Sequence, residues 1–232
     1  MGPCLPLGVR MNESITICCL KWGDRYGAEY VNILYAMVQR NVSVPCDFVC
    51  FTDDPKWVDA KIRTEPMPYV APRWWGKMGL YLPKVPGINT ERLLFLDLDV
   101  CITGSLDEML RWPDPFVMAK DWPSGIYPPT DIRDRQGNSS VVLLKVGAME
   151  KIWREYHSNY VANVSGSPRV THGDQEWVNG HFPDSMTVFP ERLVKSYKLH
   201  NLAGGSDPDC SVVMFHRSEE RRVGKECIAV CR

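Results

Sequence analysis

The residues in this chain best suited to chemistry are Asp97 and Asp99, which close the apolar run "LLFLDLD". Two carboxylates one residue apart repel each other, and placing them at a buried strand end costs free energy unless something compensates. Side chains alternate along a strand, so an uninterrupted strand turns both acids to one side, with Cα atoms roughly 6.6 Å apart. One hard divalent cation could then lie between them, and carboxylate oxygens suit Mg2+ or Mn2+. The alternative is that both acids cap loops or pair with nearby Arg and Lys. Other polar residues also follow apolar runs: Asp53 and Asp54 after "CDFVCFT", Asp121 after "PFVMAK", and His216 after "CSVVMF".

The elements that must position these groups are legible as patterns. "SITICCL" reads as a buried strand, and the polar loop "KWGDRYGAEY" follows it. Val31, Leu34, Tyr35 and Val38 then recur at helical spacing until Asn41. "CDFVCFT" is a second strand, "KIRTEPMPYV" a short edge segment with prolines, and "PRWWGKMGLYLPKVPG" a loop with a short helix. Ser105 and Glu108 form an S-x-x-E capping box that predicts a short helix ending before Pro113. "PFVMAKDW" and "NSSVVLLKV" read as strands, and Met149, Ile152, Trp153, Tyr156 and Tyr160 as a helical stripe. "GDQEWVNGHF" predicts a short helix with Asp174 near its start. "MTVFPERLV" and "CSVVMFH" complete the series as strands. Alternating strands and helices predict an α/β domain with a mostly parallel sheet flanked by helices. In such sheets ligands bind beyond the carboxyl ends of the strands, where these acids fall.

The chain has 232 residues and a net charge of −1, so no overall basic field marks a nucleic-acid binder. No apolar run is long enough to span a membrane, and "MGPCLPLGVR" lacks the apolar stretch of a secretory signal. The expectation is a cytoplasmic protein, in which the sequons at Asn12, Asn41, Asn138 and Asn163 carry no meaning. Cys18, Cys19, Cys46, Cys50 and Cys101 lie in apolar runs and read as core residues rather than disulfides or a zinc site. The domain is expected over residues 11–216, after an uncertain extension over 1–10. From Arg217 to Cys227 the sequence resembles the translation of a common sequencing adapter, so 217–232 is read as a non-native tail; a basic surface tail is the alternative.

Taken together, "FLDLDVCITGSLDE", "ICCLKWGDRYGAEYVNILYAMVQRN", "NSSVVLLKV", "GDQEW" and "VVMFH" resemble, in order, motifs of nucleotide-sugar-dependent glycosyltransferases. The resemblance is to the Rossmann-like GT-A fold, in particular the family 8-like group of glycogenin and bacterial galactosyltransferases. It implies that Asp97, Asp99 and His216 hold Mn2+ or Mg2+ on the donor diphosphate. It implies Asp24 and Tyr26 beside the nucleotide base, and Lys77 as a basic residue near the donor. Asp121, Asn138, Asp174 and Gln175 would line the donor sugar, with Asp174 and Gln175 as candidates to stabilise a cation-like sugar. On the residues alone, Asp174 could equally cap its helix, and Lys77 could be a solvated lysine beside Trp74 and Trp75. Those tryptophans could form a stacking platform for an acceptor or pack in the core. The implied partners are a nucleotide sugar, such as a UDP-sugar, and a glycan, lipid or protein acceptor, with retention of configuration at the sugar.

Two other functions compete. The D-x-D also resembles the nucleophile motif of haloacid dehalogenase-like, Mg-dependent phosphatases. That motif wants Thr or Val where Cys101 stands and normally opens its domain, whereas this pair lies mid-chain. A catalytically inactive nucleotide-sugar-binding protein is the third reading. Ser140, where the family has Gly after "NS", and the tail after His216 are the departures that keep it open.

Overall fold

The computed structural model describes residues 14–121, 137–164, 173–181, 187–200, 202 and 209–215. The central sheet has seven strands: β1 (Ile15–Lys21), β2 (Asp47–Thr52), β3 (Arg63–Glu65), β4 (Arg92–Leu96), β6 (Phe116–Lys120), β7 (Gly137–Lys145) and β8 (Thr187–Val188). Their order across the sheet is β3-β2-β1-β4-β7-β6-β8. The first four run parallel, β7 is antiparallel to both β4 and β6, and β8 is parallel to β6.

Strand alternation divides the core into two layers. On one face Ile17, Cys19, Leu94, Leu96, Val141 and Leu143 pack against helix α1 (Ala28–Asn41). Val31, Leu34 and Val38 of α1 are fully buried there, as their spacing predicts, each contributing about 1.5–3 kcal/mol. The helix stops at Asn41, whose side-chain amide donates to the Met37 carbonyl at 2.8 Å. On the other face Cys18, Leu20, Leu93, Phe95, Val142 and Leu144 meet a 3-10 helix (Arg73–Tyr81) and helix α3 (Glu150–Val164). Helix α4 (Asp174–His181) joins this layer through Val178 and its contact with β7. Among the cysteines, Cys18, Cys19, Cys50, Cys101 and Cys210 are buried free thiols and Cys46 is half-buried.

Three local expectations are corrected. The strand "CSVVMFH" does not extend the central sheet: β10 (Val212–Met214) pairs with β5 (Cys101–Ile102) and β9 (Val194–Ser196) in a separate three-stranded sheet. Short runs carry no record of which edge they will find. The capping box does not form. A short helix α2 (Asp107–Leu110) does form there, but Ser105 Oγ accepts from the Asp107 amide and Glu108 pairs with Arg192 in place of closing the box. Finally, the D-x-D is not part of a strand. β4 ends at Leu96, and the Val100 amide donates to the Asp97 carbonyl, closing a turn. Alternation along a strand therefore does not set the relation between the two acids.

Candidate active site

β4 carries the chain to the carboxyl edge of the sheet, and its turn is pinned to the neighbouring strand by the Asp97 amide, which donates to the Ser140 carbonyl at 2.8 Å. Beyond this edge lies a cleft of about 330 Å³ lined by Asp97, Asp99, Tyr26, Lys77, Asp174 and Gln175, among others.

Lys77 comes from the 3-10 helix and is largely buried at the cleft floor, which it helps to line. Its ammonium lies 2.8 Å from Asp97 Oδ1 and 2.9 Å from Oδ2, 3.4 Å from the Ser139 carbonyl and 4.0 Å from Asp174 Oδ2. The face of Phe95 is 5.1 Å away. Burial by itself would favour a neutral amine, but Asp97 and Asp174 outweigh it and raise the lysine above its ordinary value. Lys77 therefore sits there as a cation. Asp174 shows the opposite balance: burial raises its carboxyl above the ordinary range, Lys77 offsets this in part, and Asp97 adds to it. Asp174 is the first residue of α4, and its carboxylate engages Lys77 across the cleft floor instead of acting only as a cap.

The other wall is a hydrogen-bond relay that ends on a carboxylate. The Ser139 amide donates to Gln175 Oε1 at 3.2 Å, and Gln175 Nε2 donates to Asp121 Oδ2 at 3.0 Å. These two contacts fix which end of the Gln175 amide faces each neighbour. Asn179, one turn further along α4, accepts from the Gly137 amide and donates to its carbonyl, both at 2.9 Å, locking α4 to the start of β7. On the far side the Tyr26 hydroxyl donates to Asp99 Oδ2 at 2.6 Å.

Asp97, Asp99, Lys77, Asp174, Gln175 and Tyr26 thus meet in one cleft, with Asp121 joined through Gln175. Asn138 is buried, and its Oδ1 accepts from the Ser140 amide, so its polar end is used within its own strand. Asp24 is exposed in the loop after β1 and does not line the cleft. His216 lies outside the described residues, although Phe215 before it lines the cleft. Trp74 also lines the cleft, whereas Trp75 stacks on Tyr156 in the core at 5.2 Å.

Sequence patterns missed Trp22, Ser139, Gly173 and Glu176 as wall residues, and Asn179 as a clamp. Trp22, Ser139, Gly173 and Glu176 lie inside the motifs that carry the resemblance, and Asn179 five residues beyond Asp174 on the same short helix, so each had a signal that did not single it out. Among the described residues no group of three or more His, Cys, Asp or Glu is arranged to hold a metal ion. Asp97 and Asp99 still offer the hard oxygen donors that Mg2+ and Mn2+ prefer, and both face the cleft.

No protein-family model matches the chain, and no curated protein does. Solved structures do. The galactosyltransferase LgtC, determined with donor and acceptor sugar analogues, aligns over 93% of this chain and 95% of its own, with a TM-score of 0.60 and 14% identity. The glycosyltransferase GlyE of Streptococcus pneumoniae aligns over 95% of this chain and 62% of its own, at TM-score 0.62 and 13% identity. The bifunctional glycosyltransferase WbbM aligns over 98% and 51%, at TM-score 0.64 and 12% identity. The chain has the GT-A glycosyltransferase fold. Within this GT-A domain the cleft stands at the carboxyl edge of β1 and β4, where an open α/β sheet leaves room for a ligand. No helix among the described residues is long and apolar enough to cross a membrane.

Proposed function

We propose that the protein is a metal-dependent glycosyltransferase that moves a sugar from a nucleoside-diphosphate donor, with UDP-sugars as the first candidates, to a glycan, lipid or protein acceptor. The reading rests on one observation: two aspartates, a buried lysine and the Asp174–Gln175 pair converge on one cleft of a GT-A fold. Breaking a sugar–phosphate bond leaves a diphosphate with new negative charge and a sugar with cationic character. Asp97 and Asp99, with His216 as third ligand, would hold Mn2+ or Mg2+, which supplies Lewis-acid stabilisation of the leaving diphosphate. Lys77 adds a second positive charge beside it. Gln175 Oε1, held in place by the Ser139 amide, presents an amide oxygen to the cationic sugar, and Asp174 adds negative charge to that wall. Retention and membership of the family 8-like group belong to the same reading. So does a cytoplasmic location.

A phosphatase reading is disfavoured because Asp97 is held by Lys77 on both oxygens, which blunts a nucleophile. A thermal-shift screen of nucleotide sugars with and without Mn2+ tests the transferase reading. UDP and its sugars are expected to raise the melting temperature only with metal, and Asp97→Ala and Asp99→Ala are each expected to abolish that shift. A shift that survives both substitutions refutes the site.

A further inference from the structure

We propose that Lys77 is a built-in counter-cation that makes metal and nucleotide bind as a unit, because its ammonium occupies the carboxylate that the metal needs. The inference rests on the transferase reading and adds a positioning role for Lys77 within it.

The near-equal distances of 2.8 and 2.9 Å place Nζ across the open end of the Asp97 carboxylate, between its two oxygens. A divalent ion approaching alone finds that side taken and meets an ammonium on the other side of the same group. Two cations on one carboxylate repel, and the repulsion is weakly screened because Lys77 is buried. The lysine has other holds on its place, the Ser139 carbonyl at 3.4 Å and Asp174 at 4.0 Å. It therefore does not leave Asp97 without a replacement for that anion.

A nucleoside diphosphate brings the replacement. Lys77 lines the cleft, and an ammonium on a four-carbon stem is a mobile point charge well suited to phosphate. Once Nζ turns to a phosphate oxygen, both oxygens of Asp97 become available to the cation. The diphosphate would then offer oxygen ligands to both the lysine and the metal, so neither cation would depend on Asp97 alone. The device penalises the site loaded with metal alone.

Any metal that bridges a diphosphate couples the two ligands, so the informative quantity is metal affinity without nucleotide. Mn2+ binding is measured on the full chain by the electron-spin signal of the free ion, with and without UDP, for the parent, Lys77→Met and Lys77→Arg. Lys77→Met is expected to bind Mn2+ alone on the order of 10-fold more tightly than the parent, and to lose a similar factor from the gain that UDP confers. Lys77→Arg keeps the cation and is expected to bind Mn2+ alone no more tightly than the parent. If far-UV circular dichroism shows Lys77→Met unfolded, Lys77→Gln, which can still donate to Asp97, carries the same expectation. Equal Mn2+ affinity in the parent and a folded neutral variant overturns the proposal, as does tightening in Lys77→Arg. UDP–Mn2+ binding in the parent with either result overturns the coupling alone. Absence of any UDP–Mn2+ binding in the parent overturns the transferase reading and the coupling with it.

Discussion

The ammonium of Lys77 lies almost midway between the two carboxylate oxygens of Asp97, at 2.8 and 2.9 Å, and the lysine side chain is 8% exposed against 21% for the aspartate. An ion pair this sheltered loses more when one partner is removed than the pair contributes as a whole, because the other charge is left buried and unmatched. Lys77→Met is expected to cost about 3 kcal/mol in urea unfolding. Lys77→Met combined with Asp97→Asn is expected to cost clearly less than the sum of the two single changes. Additive costs in that double-mutant cycle contradict the pair.

Tyr26 reaches across the cleft to Asp99. Tyr26→Phe removes one hydrogen bond to a charged group and no packing surface of consequence. The expected loss of stability is about 1 kcal/mol, since the bond is half-buried and made to a charged group. Hydrolysis of a UDP-sugar donor is expected to fall on the order of 10-fold in kcat/KM. A variant as active as the parent would show that the phenol does not position Asp99.

Gly79 sits where the 3-10 helix crosses the segment before it. A Cβ added there would lie 2.8 Å from the Tyr69 amide nitrogen and 2.9 Å from Pro68 Cγ and Tyr69 Cβ. Backbone cannot yield as a side-chain tip can, so Gly79→Ala is expected to destabilise by about 1–3 kcal/mol. Gly173→Ala is a useful contrast. Its Cβ would meet Glu176 Oε2 at 2.9 Å and Trp74 Nε1 at 3.2 Å. The glutamate tip can swing away, so that variant is expected to fold with a smaller loss but a disturbed cleft, read as weaker UDP–Mn2+ binding.

Asp107 opens α2 and receives the Ser43 amide at 2.9 Å and the Ser43 hydroxyl. Burial works against its ionisation, but the Ser43 hydrogen bonds, Arg111 and the Val44 amide outweigh it and hold the carboxyl below the usual range. A carboxyl depressed by folding adds stability above its unfolded pKa and loses it as pH falls through its folded value. Asp107→Ala is therefore expected to cost about 1–2 kcal/mol in urea unfolding at pH 7. The gap between variant and parent is expected to shrink as pH falls below about 4. A gap that is constant with pH would show that the carboxylate charge is not the source.

Much of the framework could be read from local pattern. β1, β2, β4 and β7 announced themselves because a sheet covered on both faces demands continuous apolar strands. The stripes of α1 and α3 followed from helical spacing, since Val31, Leu34, Ile152 and Tyr156 must face the sheet. The acids were found by their place after apolar runs, which also brought Asp121 to attention.

What only the tertiary structure decided was who compensates whom. Asp97 and Lys77 are 20 residues apart, Tyr26 and Asp99 are 73 apart, and Gln175 and Asp121 are 54 apart. Spacing along the chain cannot bring such groups together; that depends on which element packs on which face. The sequence by itself determined that two carboxylates would gather at the carboxyl edge of an α/β sheet and that their charge needed an answer. The packing of the 3-10 helix against the sheet decided that a lysine from the chain itself supplies part of that answer, because burial makes a nearby ammonium the least costly partner for an aspartate.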